Sequence, residues 1–225
     1  MSILSGMEDT CGVASTRTGT PRLGTPTLTA ADWAEAALQL IAEAGLRAVT
    51  VKALAARLGV TKRSFYWHFQ GREELLAAAL ARWERRATEE AVQALDAIPD
   101  CRRRLELIFD ASSQPPRARS LYASLAASAD EPLVKAVLAR VGAARIDYLD
   151  ACYRKLGLPP VEARARAVFA YAAYRGLLQL AHESPASLPT SWSPYTALMR
   201  QVLLPVGKTT AGRARARQGR GASRR

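Results

Sequence analysis

Beyond Thr29 the apolar residues return every three or four positions, whereas before it they show no period. Trp33, Ala37, Leu40, Ile41 and Ala44 fall on one face of a predicted helix. Thr29 stands where it caps the free amides, and Asp32 where it opposes the positive end of the helix dipole. Gly45 supplies a left-handed residue to stop the helix. Two short helices are predicted next. One runs over about 51–58 with Thr50 as its cap, and one runs from a Thr61 cap to His68 or Phe69, with a tight turn at Gly59-Val60 between them. Another starts near Arg72 and carries Leu75, Leu76, Ala79, Leu80 and Trp83. Past Asp100 the helices lengthen. The pattern predicts Cys101 to Ser113, Pro115-Pro116 to Ala129, Glu131 to Leu156 with a break at Gly157, Pro159-Pro160 to His182, and Ser193 to Leu204 ended by Pro205. There is no internal repeat.

The fold class is therefore all-α. The expected organisation is a flexible arm over 1–28, rich in Ser, Thr, Gly and Pro, then a three-helix domain over 29–76, a larger helical domain over 77–206, and a disordered tail over 207–225. Composition agrees: 49% of the 225 residues are apolar, and good helix formers dominate. The formal charge of +12 points to a polyanionic partner. Much of it sits in the tail, where Lys208, Arg213, Arg215, Arg217, Arg220, Arg224 and Arg225 stand with no acid. Cys11, Cys101 and Cys152 form no metal-ligand or CxxC spacing and read as ordinary thiols of a reducing cytoplasm. No apolar run is long enough for a membrane span, and the N-terminus does not read as a signal peptide.

An enzyme is disfavoured. The chain has two histidines, no GxGxxG, no phosphate loop and no HExxH, and no catalytic arrangement can be placed on facing elements. Glu89-Glu90 and Asp130-Glu131 read as solvated helix ends. No cofactor and no metal are expected.

The segment Thr50–Phe69 reads TVKALAARLGVTKRSFYWHF. Its two short helices are too small to stand alone and must pack on the helix before them. Leu54, Leu58, Val60, Phe65 and Phe69 would supply the shared apolar face, and Gly59 the positive φ of the reversal. This is the build of a helix-turn-helix. From Thr50 to Arg72 there are five bases (Lys52, Arg57, Lys62, Arg63, Arg72) and no acid. Thr61, Lys62, Ser64, Tyr66 and His68 offer hydrogen-bonding groups for base edges and phosphates, and the N-terminal amides near Thr50, Thr61 and Arg72 would point at phosphate.

Residues 29–80, and above all Val60-Thr-Lys-Arg-Ser-Phe-Tyr-Trp-His-Phe-Gln-Gly-Arg-Glu-Glu-Leu75, resemble the DNA-binding domain of the tetracycline-repressor (TetR) family. The resemblance implies that Thr50 and Lys52 lie near the backbone and groove edge. It implies that Thr61, Lys62, Arg63 and Ser64 open the recognition helix, that Tyr66 and His68 reach phosphate or base, and that Trp67 packs against the DNA backbone. Arg72 replaces the family's usual Lys as a phosphate clamp, and Phe65 replaces a more usual Leu or Ile. Partners implied are double-stranded operator DNA, a second copy of the chain and a hydrophobic small-molecule effector. The function implied is that of a ligand-responsive, homodimeric repressor in the cytoplasm.

For the later helices the residues support only broader expectations. Phe109, Tyr122, Leu125, Val137, Tyr148, Cys152, Tyr171 and Tyr174 are the candidates for an effector pocket, being apolar or aromatic with a few hydroxyls. Ala165, Val168, Ala172 and Gly176 on one helix, with Tyr195, Leu198, Met199 and Val202 on the last, are the candidates for a dimer face. Either set could instead be core. A rival reading is a sequence-nonspecific nucleic-acid binder driven by the tail through counterion release.

Overall fold

The structure, a computed structural model, describes residues 28–113 and 121–205. The expected arm, the Pro115-Pro116 helix start and the basic tail lie outside them. The described residues form helices joined by short turns, with no strand among them. α1 (Ala30–Ala44) opens on a full capping box: the Asp32 N–H donates to Thr29 Oγ1 and the Thr29 N–H to the Asp32 carboxylate. Gly45 stops α1 at φ 81°, but its ψ of 171° is extended. The chain therefore leaves into a single 3₁₀ turn, Leu46–Ala48, instead of closing with a left-handed cap.

α2 (Val51–Leu58) is capped as the pattern predicts, with Thr50 Oγ1 accepting from the Ala53 N–H. Gly59 is left-handed, at φ 68° and ψ 28°. α3 (Lys62–Phe65) is shorter than the pattern predicts and its Thr61 side chain makes no cap bond; only the Thr61 carbonyl engages, accepting from Ser64 N–H. The early end has a packing cause. Phe65 and Phe69 both turn into the core, and the intervening backbone tightens, with His68 N–H reaching the Phe65 carbonyl three residues back.

α4 (Arg72–Arg85) does not end near Trp83. It continues through a π-helical turn (Arg86–Glu90) into α5 (Ala91–Asp96). The Thr88 hydroxyl donates to the Glu84 carbonyl, competing with the amide ladder where the helix loosens. α6 (Cys101–Ser112), α7 (Leu121–Ala126), α8 (Pro132–Lys155), α9 (Pro160–Glu183) and α10 (Trp192–Leu203) complete the chain. Prolines at the first turn of α8 and α9 preset φ where no amide partner is needed.

Two apolar cores are stacked along the antiparallel pair α8 and α9. The first unites Trp33, Ile41, Leu54, Phe65, Leu75 and Leu80 of the N-terminal helices with Leu125 of α7, Val134–Val141 of α8 and Leu178 of α9. The second gathers Leu95, Leu105, Phe109, Leu149, Tyr153, Ala163 and Leu203. Ion pairs reinforce the joints. Arg82 and Arg86 of α4 hold Glu35 of α1, and although half-burial works against its charge, those two arginines keep its carboxyl below the usual range. Arg140 of α8 grips Glu84 of α4 with both ends of its guanidinium, at 2.6 and 2.7 Å. Where α8 and α9 pack, a Cβ at Gly142 would meet the Tyr171 hydroxyl at 3.1 Å, so the ring of Tyr171 occupies the space a side chain there would need.

Gly59 gives a clean test of the turn. A Cβ there would meet nothing within 4 Å, so Gly59→Ala carries only the backbone cost of the left-handed region. Urea unfolding should show a loss of about 1–2 kcal/mol. An unchanged midpoint would mean that the turn accommodates a side chain freely.

Candidate nucleic-acid interface and internal cavity

The four residues of α3 take their orientation from what lies beneath them. Phe65 is fully buried, edge-on to Trp33 at 5.4 Å and packed against Phe69 at 5.6 Å. With Phe65 and Phe69 inward, helical spacing sends Arg63 and Trp67 to the opposite side and Tyr66 to the flank, while Lys62 reaches solvent from the first turn. All four are exposed, Tyr66 at 62% and Trp67 at 76%. Ser64 and His68 flank this face half-buried, while Thr61, Thr50 and Lys52 are exposed beside it. Among the described residues, Lys52, Lys62 and Arg63 have no acidic partner. The face is therefore basic and aromatic, and it is held from behind by a rigid apolar anchor.

Two of the five bases are committed elsewhere. Arg57 donates twice to the Glu43 carboxylate, at 2.6 and 2.7 Å, and once to Gln39. Arg72, expected to clamp phosphate, sends Nε to the Val49 carbonyl (2.7 Å) and Nη2 to the Leu46 carbonyl (2.9 Å). Its planar fork ties α4 to the turn before α2, which a lysine could not do with the same geometry. The start of α4 also carries its own anions, Glu73 and Glu74, and Glu74 accepts from the Gln70 N–H. Phosphate is thus not needed to satisfy that end.

Of the eight pocket candidates, four meet on one wall. Phe109, Tyr148, Tyr171 and Tyr174 line a largely apolar cavity of about 60 Å³ between the two cores. Leu125 and Val137 lie in the first core and do not line the cavity. Cys152 lies in the second, where burial pushes its thiol up to about 11, a packed and unreactive state. Tyr122 sits behind the wall with its hydroxyl 2.7 Å from that of Tyr171. Among the lining residues that went unread in the sequence are Ala87, Thr88 and Ala91 of the segment continuing α4, and Arg145 of α8. The first three belong to a stretch with no predicted element. Arg145 was legible, because it stands between Val141 and Leu149 on the apolar stripe of its helix.

The dimer candidates divide likewise. Ala165, Val168, Ala172 and Gly176 are exposed along α9, beside Val161 and Phe169. Leu198 and Val202 are exposed on α10, and Arg166 of α9 binds the Val202 carbonyl, so the two helices share one surface. Met199 is buried on the cavity wall and Tyr195 packs on the second core, because α10 turns that side inward.

Residues 34–79 match the sequence profile of the bacterial regulatory proteins of the tetR family. No curated protein matches the chain. A transcriptional regulator from Rhodococcus sp. Rha1 has a similar structure, with TM-score 0.61 and 24% identity, over 80% of this chain and 100% of that one. A Rhodococcus sp. protein assigned to the TetR-family transcriptional regulators gives 0.57 and 23%, over 77% and 96%. The fatty acid degradation regulator FadR from Bacillus halodurans gives 0.55 and 14%, over 83% and 99%. These likenesses show the fold: the helices after the matched segment are arranged as in known regulators. No helix among the described residues is long and apolar enough to cross a membrane.

The two arginines make opposite predictions. Arg72→Met should lower stability by about 1–3 kcal/mol in urea unfolding, since two carbonyls lose their donor; a phosphate clamp alone would leave stability unchanged. Arg63→Ala should leave stability unchanged and weaken binding to a preferred duplex by about 1–3 kcal/mol if it reads a guanine. Equal affinity and sequence preference in wild type and variant would remove that role.

Proposed function

We propose that this chain is a transcriptional regulator of the tetR family, a cytoplasmic, ligand-responsive repressor that binds a palindromic operator as a homodimer; the match of residues 34–79 to that family's profile and the likeness of fold support the reading. The observation that carries the reading is the outward face of α3. Lys62, Arg63, Tyr66 and Trp67 stand free of acids and are backed by the buried Phe65–Phe69 anchor. Two large aromatics so exposed are unusual on a soluble surface and suit stacking or backbone contact beside phosphate-seeking cations. Thr50, Lys52, Thr61, Ser64 and His68 extend the face, and Arg72 supports it from within.

The division of labour follows the chain. Residues 29–76 bind DNA, and residues 77–206 bind effector and partner. One short recognition helix makes too few contacts for useful specificity; two, related by a two-fold axis, read half-sites about 34 Å apart or a multiple of it. The exposed apolar strip of α9 with Leu198 and Val202 of α10 supplies the self-complementary patch that such an axis requires.

The cavity is the effector site. Its wall includes Ala87, Thr88 and Ala91, which continue the same helical rod that begins at Arg72 beside the recognition helix. At about 60 Å³ the cavity is smaller than an ordinary ligand site, so occupation must move its walls. A ligand that displaces this rod changes the spacing of the two recognition helices. By linkage, operator DNA then opposes ligand binding by the same factor.

The dimer is tested at α9. Val168→Asp places a charge where the partner would bury it, a cost of roughly 2 kcal/mol or more. Sedimentation at micromolar concentration should shift from dimer to monomer, and operator affinity should fall with it. A wild-type protein that sediments as a monomer would contradict the two-fold reading.

A further inference from the structure

The polar groups on the cavity wall are almost all spoken for. The Thr88 hydroxyl donates to the Glu84 carbonyl and the Ser112 hydroxyl to the Ile108 carbonyl. Tyr148 bonds Asp96, and Tyr171 bonds Tyr122. Arg145 is different. It is the one charged residue on the wall, and among the described residues it makes no hydrogen bond and no ion pair. Its Nε is shielded from solvent without a partner. Its guanidinium carbon lies 5.4 Å from the ring centre of Tyr122 and 5.8 Å from that of Tyr174, so it rests only on π faces.

A second cation deepens the imbalance. Arg175 lies over the same Tyr122 ring, at 5.1 Å, and donates to its hydroxyl. No carboxylate among the described residues pairs with either arginine. A protein interior that holds a half-buried guanidinium against an apolar cavity, with no counter-charge, is electrostatically incomplete.

Resting on the effector reading of this cavity, we propose that its ligand is an amphipathic monoanion, a carboxylic acid with a hydrocarbon or aryl body. The carboxylate pairs with the Arg145 fork, and the body lies along the alanine, leucine and phenylalanine wall. A planar, singly charged head matches one planar guanidinium. A phosphate monoester, with nearly two charges and three acceptor oxygens, would need more donors than this wall has free. The methyl faces of Ala87, Ala91, Ala144 and Ala170 leave room for the body, and Met199, unbranched and flexible, can swing to lengthen it.

Calorimetry without DNA tests this. Hexanoate, octanoate and phenylbutanoate are titrated into the full chain, each beside its primary amide, which keeps the shape and removes the charge. At least one acid should bind about ten-fold or more tighter than its amide, the value of one charged hydrogen-bonded pair. Arg145→Met should abolish that preference and leave amide binding as it was, and Arg145→Lys should keep part of it. Equal binding of acid and amide by the wild type, binding of neither, or an acid preference that survives in Arg145→Met would overturn the proposal. If the Met variant fails to fold, the wild-type acid–amide comparison and the Lys variant still decide. A parallel titration with duplex DNA separates the two readings: a protein that selects its carboxylate but no DNA sequence loses the regulator function and keeps the site.

Discussion

The ring of Phe65, fully buried against Trp33, is the contact on which the exposed face of α3 depends. A helix of four residues has no stability of its own, because nucleating a helical turn costs more than the few bonds it forms return. α3 therefore exists only as the outer side of an apolar plug. Phe65 and Phe69 go in, which turns Arg63 and Trp67 outward, with Tyr66 and Lys62 exposed beside them. Truncating a buried Phe typically costs about 3–5 kcal/mol, so this plug is both a stability element and the gauge that sets the angle of the recognition face. The edge-on contact with Trp33, at 5.4 Å between ring centres, is how the Phe65 ring is accommodated.

Charge is handled by the same separation of inside from outside. Arg57, Arg72, Arg82, Arg86 and Arg140 lie on or against the N-terminal helices, yet each is tied to a carboxylate or a backbone carbonyl. They brace α1, α2, α4 and α8 against one another. Among the described residues, the exposed cations outside such ties include Lys62 and Arg63 of α3, Lys52 of α2 and Arg47 in the turn before α2. A high net positive charge is thus a poor guide to which arginines meet a polyanion; what matters is which ones the fold has not already used. Arg145 obeys the same rule at the cavity, where the unspent cation faces inward.

Much of this was legible in the sequence because it is local. Thr29 with Asp32, Thr50 with Ala53 and the positive φ of Gly59 are relations over three or four residues, and the caps and turn form as the pattern predicts. The inward positions of Leu54, Phe65 and Phe69 follow from spacing alone. What escaped depends on contacts distant in sequence. Arg72 looks identical as a phosphate clamp or as a donor to Leu46 and Val49 until the turn before α2 is folded beside it. The cavity draws its walls from α5, α6, α8, α9, α10 and the π turn, so Tyr148 and Tyr171 on its wall could not be told from Leu125 and Val137 in the core. The π turn itself arises where a Thr88 hydroxyl intrudes on the helix ladder, which periodicity does not register. Met199 and Leu198 are adjacent in sequence, yet only their helix's rotation puts one on the cavity wall and the other on the surface.

The central claim, that the α3 face reads DNA sequence for a two-fold dimer, is tested most directly by selecting bound duplexes from a random library at about 0.15 M salt, where loose electrostatic binding is screened. The full-length wild type is run beside a Lys62→Ala/Tyr66→Ala/Trp67→Ala variant, whose changes are confined to exposed side chains. The account predicts that a palindromic consensus is enriched by the wild type and lost in the variant. Absence of any consensus, or equal enrichment by both proteins, would contradict it and shift DNA binding to the basic residues beyond Gly207.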